Sequence, residues 1–185
     1  MVSVIAWVSL NTMLATNLET EIKTFINKFA FFAAAFIPTS LWLFSYSFPW
    51  PKIKLFPKYT LTALILPIIL GVFVVCTDLL VGDYVKTEMV NFGKLFVFVV
   101  VYFVFFFTYS LINFLKTYKE QNDIYKRIIK LLIIGIFTSS FIGVISELIL
   151  PLVGYNHFSL LRGWIGPFSS LIWLIFSTKI LMIKK

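Results

Sequence analysis

"FVFVVVYFVFFF", residues 96–107, decides the fold. Every residue in it is β-branched or aromatic, the composition that strands favour. The run nevertheless sits inside an apolar stretch of about residues 92–115 with no polar alternation. A membrane-crossing strand needs only about 9–11 residues and alternates between lipid and lumen. The stretch is too long and too uniform for a barrel strand, and it matches the ~20 residues with which a helix crosses ~30 Å of hydrocarbon. Residues 96–107 therefore read as the middle of a transmembrane helix.

The rest of the chain agrees. Hydrophobic residues make up 60% of the 185 and charged residues only 13%, with 22 Phe; the mean hydropathy is +0.96. A water-soluble domain of this composition lacks polar surface to cover itself. Six apolar segments can be marked: A at residues 2–18, B at about 29–46, C at 61–80, D at 92–115, E at 128–150 and F at 160–182. Segment A is the shortest and is diluted by Asn11, Thr12 and Asn17. The expectation is an all-α, polytopic integral membrane bundle of about six transmembrane helices, one domain over residues 1–185, with the lipid bilayer as its first partner. The start has no basic region ahead of its apolar run, so it reads as a retained membrane segment and not a secretory signal.

Orientation follows from the bases. If all six segments span, eleven Lys and Arg fall on one side, among them Lys52, Lys54, Lys58, Lys116, Lys119, Lys126 and Arg127. The other five, Lys23, Lys28, Lys86, Lys94 and Arg162, fall opposite. The positive-inside rule then places both termini in the cytoplasm of a multi-pass cell-membrane protein. The net charge of +8 is spent at the ends of apolar runs, which is the topology signal and not a nucleic-acid surface. Cys76 is the one cysteine and forms no internal disulfide. The basic "LKTYKEQNDIYKRIIK", residues 115–130, reads as a cytoplasmic hairpin beside anionic headgroups, or as a dock for a partner.

"SELILPLVGYNHF", residues 146–158, holds the candidate chemistry. Gly135, Ser139, Gly143 and Glu147 recur every four residues of segment E and share a helix face. Small residues at that spacing admit a close neighbouring helix. Glu147 then projects from a packed face near the outer end. Two readings stay open: a glutamate satisfied by backbone or water, or a polar group lining an outward-facing cavity. Arg162 opens segment F after a short loop and is an easy partner; Asp78 closes segment C, and His157 lies between E and F. Asp78 and His157 can equally be solvated loop groups. One His and one Cys make no metal cluster, and no cofactor motif or hydrolase, protease or P-loop signature occurs, so an enzyme is not expected. Pro38, Pro67 and Pro167 lie within B, C and F, serving packing or hinges.

Three stretches also carry a family resemblance. "IAWVSLNTMLATNLETEIKTFINKFAFFAAAFIPTSLWLFSYSFP" (residues 5–49) resembles part of the N-terminal seven-transmembrane sensor region of histidine kinases: a helix with a polar end, a short outer loop, then a helix with a proline before an aromatic run. "YKRIIKLLIIGIFTSSFIGVISELILPLVG" (125–154) is similar to the penultimate helix of that family, and "LRGWIGPFSSLIWLIFSTKILMIKK" (161–185) to its last. The family has seven spans with an outer N-terminus where this chain has six with an inner one, and its members continue into an output domain. No phospho-accepting histidine or ATP site lies within these residues, so no kinase activity follows. The resemblance implies a sensory module working with a separate cytoplasmic signalling protein, with self-association compatible. A small transporter or channel subunit is the alternative.

Overall fold

The computed structural model describes residues 2–14, 16, 18–49, 57–85, 89–150 and 175. Among them are five α-helices: α1 (Val2–Leu14), α2 (Thr20–Ser47), α3 (Pro57–Cys76), α4 (Phe96–Glu120) and α5 (Asp123–Val144). A π-helical turn, Ile145–Ile149, continues α5, and a two-stranded antiparallel hairpin, β1 (Val81–Val85) and β2 (Met89–Phe92), joins α3 to α4. The structure is mostly helical. Helices α2, α4 and α5 are long and apolar enough to cross a membrane, while α1 and the described apolar part of α3 are shorter. At 1.5 Å per residue their 28, 25 and 22 residues extend about 42, 37 and 33 Å.

Helix α2 is the hub. Lys28 meets Asp78, Phe32 lies beside Gly71, and Trp42 clusters with Ala63, so α3 runs antiparallel to it. Against α4 the pairings ascend together: Phe31 with Phe96, Ala35 with Tyr102, Trp42 with Phe106 and Ser45 with Asn113. Helices α2 and α4 are therefore parallel, with α3 as the return pass. Helix α5 is antiparallel to α2. Phe48 and Leu41 pack on the cluster of Ile128, Leu132 and Ile136 at one end, and Ala34 shares a cluster with Leu148 at the other.

The chemistry of α4 shows how the bundle is stabilised. Its buried stripe is Phe96, Val99, Phe103, Phe106, Ser110, Phe114 and Thr117, at the three- and four-residue spacing of one helix face. The opposite face, with Phe98, Val101, Val104, Phe105 and Ile112, is exposed and no less apolar. Polar atoms sit on the inside and are bonded there: Ser110 Oγ donates to Phe106 O at 2.6 Å, Ser45 Oγ to Trp42 O at 2.7 Å, and Asn113 Nδ2 to Ser45 Oγ at 3.1 Å. Back-bonding of hydroxyls to the preceding turn removes an orphan donor without a partner helix. Tyr102 Oη donates to Ala35 O at 2.7 Å, next to the Ala34 carbonyl that the buried Pro38 leaves without its helical donor.

Four expectations are corrected. The bundle is not purely α-helical: residues expected to end segment C and begin segment D instead form the β-hairpin, paired Val81↔Phe92, Tyr84↔Val90 and Val85↔Met89. Helix α3 stops at Cys76, where Thr77 Oγ1 donates to Phe73 O at 2.7 Å, and the following Thr-Asp and Gly-Asp pairs disfavour a helix. Segment B begins nine residues earlier than its apolar run, at Thr20. Segment E is not α-helical to Leu150, since the Leu150 N–H reaches Ile145 O in an i→i+5 bond. Segment F lies outside the described residues except for Ile175.

Candidate functional site: a cavity between four helices

Small residues that face one another leave a space. Ala30 and Ala34 of α2 and Ser139, Ser140 and Gly143 of α5 line one gap, bordered by larger side chains such as Phe31, Ile37 and Ile136. Phe103 and Phe107 of α4 form a third wall, and Trp7 and Asn11 of α1 a fourth. The cavity holds about 430 Å³, within the ~300–1,000 Å³ of small-molecule sites. A methyl group added at Gly143 would meet nothing within 4 Å among the described residues. At one end Leu148 links the cavity to the cluster of Val74, Leu80, Phe96 and Val99. At the other, Leu41 and Ile136 belong both to the cavity wall and to the α2–α5 contact.

The lining is apolar with a few polar groups, and no ionisable side chain lines it among the described residues. Several polar groups are already occupied: Asn11 Nδ2 donates to Trp7 O at 2.9 Å and Ser139 Oγ to Ile136 O at 3.3 Å. Asn27 is different. It is 5% exposed, and its Nδ2 has no hydrogen-bond partner among the described residues. A buried amide donor left unmade costs about 1–3 kcal/mol, so this carboxamide lining a cavity is a functional candidate.

The residues singled out from sequence are placed as follows. Gly135 is buried in α5, while Ser139 and Gly143 line the cavity. The backbone of Glu147 lies in the π-helical turn between Ser146 and Leu148, both buried; its side chain lies outside the described set, as do Arg162 and His157. Asp78 is joined to Lys28 by an ion pair of 2.6 Å at the α3–hairpin corner and does not line the cavity. With the Asp78 side chain 67% exposed, that pair is solvent-screened and worth no more than about 1 kcal/mol. Among the described residues no three His, Cys, Asp or Glu come together to hold a metal.

Sequence reasoning did not single out Asn27. The signal was present: Asn27, Ala30 and Ala34 fall at the i, i+3, i+7 spacing of one helix face. Compared with protein-family models, curated proteins and solved structures, the chain matches none.

Proposed function

We propose that this chain is a multi-pass protein of the cell membrane, crossing it about six times with both termini in the cytoplasm, and that it is a sensory input module acting on a separate cytoplasmic signalling partner. The membrane assignment rests on the exposed, predominantly apolar face of α4 and the apolar lengths of α2, α4 and α5. Phe98, Val101 and Phe105 exposed side by side form a surface that water would not tolerate in a monomer. The charge distribution supports the orientation, with the bases of the α4–α5 connection on the inner side and the hairpin on the outer.

The observation that carries the sensory reading is the position of the cavity. Leu41 and Ile136 form its wall and also the α2–α5 contact that continues to the inner end through Leu132 and Ile128. Filling the space would press α5 away from α2, and a ligand that favours one spacing over the other shifts the helix arrangement. Ser140→Leu is therefore expected to mimic occupancy. Spin labels at Ser47 and Asp123, measured in nanodiscs, should change separation by about 1–2 Å, the size of helix shifts in switching proteins. An unchanged distance in a folded Ser140→Leu protein would overturn the sensory reading. Ion or solute flux through reconstituted liposomes would assign a transporter or channel subunit in its place.

The topology has its own check. In a Cys76→Ser background, Leu79→Cys should react with an impermeant maleimide in intact cells, and Asn122→Cys only after permeabilisation. The reverse pattern would invert the orientation.

A further inference from the structure

We infer that the four-helix cavity binds an uncharged, single-chain amphiphile whose oxygen-bearing head hydrogen-bonds to the carboxamide of Asn27. The inference rests on the sensory reading of the cavity and names the class of molecule that would occupy it.

Charge is the first constraint. No ionisable side chain lines the space among the described residues, so a carboxylate or ammonium head would be buried without a counter-ion, at a cost of several kcal/mol. Water is a poor occupant for the opposite reason. Each water needs two to four polar partners, and outside Ser3, Asn11, Asn27, Ser40, Ser139 and Ser140 the lining is apolar, with the Asn11 amide and Ser139 hydroxyl already donating to their own helices.

Shape is the second constraint. On α2 the lining runs from Asn27 to Phe44, 17 residues, or about 25 Å at 1.5 Å per residue. A lining drawn out over that length makes a slot that an extended, flexible chain can follow and a compact ring system would leave largely empty. Its walls along this length are the side chains of Ala34, Ile37, Leu41 and Phe103. A hydrocarbon chain meets them without stranding a polar group.

Polarity at one end fixes the head. Asn27 stands two turns into α2, at the end of the slot remote from Phe44, and its amide donor has no partner. Rotation about χ2 turns either end of a carboxamide to a ligand. An alcohol or carbonyl oxygen accepts from Nδ2, and an alcohol can also donate to Oδ1. A pure hydrocarbon leaves the donor unmade, so the bound molecule is amphiphilic. Arrival from the bilayer needs no aqueous channel, and α1, with no buried residue of its own, is the thinnest wall.

The test uses the full chain in nanodiscs and a hexadecanol carrying a photoreactive diazirine in its chain. Saturable labelling should map to cavity residues of α2 and α5. Unlabelled hexadecanol should compete, hexadecane should compete about 3- to 10-fold less well, and hexadecanoate at neutral pH should compete least. Asn27→Leu keeps the volume but removes the donor. It should weaken hexadecanol about 3- to 10-fold, the worth of one hydrogen bond, and erase its advantage over hexadecane. Ser140→Leu and Gly143→Phe fill the slot and should abolish saturable labelling; two variants are used because either alone could disturb folding, which circular dichroism would reveal. If labelling survives both fillings, the cavity is not the site and the sensory reading loses its support. If the fillings abolish it but Asn27→Leu leaves the preference for hexadecanol unchanged, the cavity stands and the assignment of the head to Asn27 is overturned. Stronger competition by hexadecanoate than by hexadecanol would overturn the neutral-ligand class.

Discussion

Gly93→Ala is expected to lower the stability of the folded chain by about 3 kcal/mol, the upper end of the cost of overpacking. Gly93 lies where the hairpin hands the chain to α4. Its N–H donates to Leu80 O at 3.1 Å, and two residues on the Leu95 N–H donates to Leu79 O at 2.9 Å. These bonds draw the backbone of Gly93 so close to residues 78–79 that an added methyl group would fall on the carbonyls of Leu79 and Asp78. A side chain could rotate away from such a clash, but a backbone pinned by two hydrogen bonds cannot. The substitution must break either the hairpin pairing or the start of α4, where Phe96 anchors the main core cluster. Gly143→Ala is the matching control. Its methyl group enters open space and removes the entropic penalty of a helical glycine, so it should raise stability by roughly 0.5–1 kcal/mol. Unfolding of the purified proteins in mixed micelles measures both. Equal and small effects at the two positions would show that the close approach at Gly93 is not structural.

Legibility in the sequence varied with the range of the interaction. The long apolar helices were readable because composition and length act locally: residues 96–107 are helical as expected, despite their strand-like chemistry. The start of α2 was not readable from hydropathy, because polarity such as that of "LETEIKTFINK", residues 18–28, marks the edge of the hydrocarbon and not the end of a helix. The turns from Thr20 to Lys28 carry on the same helix beyond the apolar run, and that misplacement of the boundary is what hid Asn27. The hairpin was hidden by Leu79, Leu80 and Val81, which extend the apolar run of segment C after the helix has stopped at Cys76. The cavity was half visible. The stripe of Gly135, Ser139 and Gly143 was evident; Ala30 and Ala34, its counterparts across the gap on α2, were not singled out. That the two face each other depends on α3 and α4 packing on other faces of α2, which no local pattern records. The pairing of Glu147 with Arg162 rests on loop length alone, and both side chains lie outside the described set.

Two phenylalanines of α4 should respond in ways that identify the solvent on each side of the helix. Phe96 is 1% exposed. It meets the Phe31 ring edge-on at 5.9 Å between centroids and the Phe92 ring at 4.1 Å. Phe96→Ala removes a ring from a closed cluster that also holds Val74, Leu80 and Leu148, so it should cost about 3–5 kcal/mol by unfolding in mixed micelles. Phe105, nine residues on, is 59% exposed and lies toward the middle of the helix. In water, Phe105→Asp would relieve an exposed apolar patch and improve solubility. In a bilayer it places a carboxylate in hydrocarbon, about 2.5–3.5 kcal/mol against insertion at the helix centre, and the fraction of chain recovered in the membrane should fall. The two outcomes have opposite signs, so membrane fractionation of Phe105→Asp decides which solvent this face meets. Phe96→Ala should leave fractionation nearly unchanged, since alanine is still compatible with hydrocarbon, while losing stability. A chain that keeps its full membrane content with aspartate at position 105 would place that face against protein or water, and the six-span bundle would have to be redrawn with α4 covered.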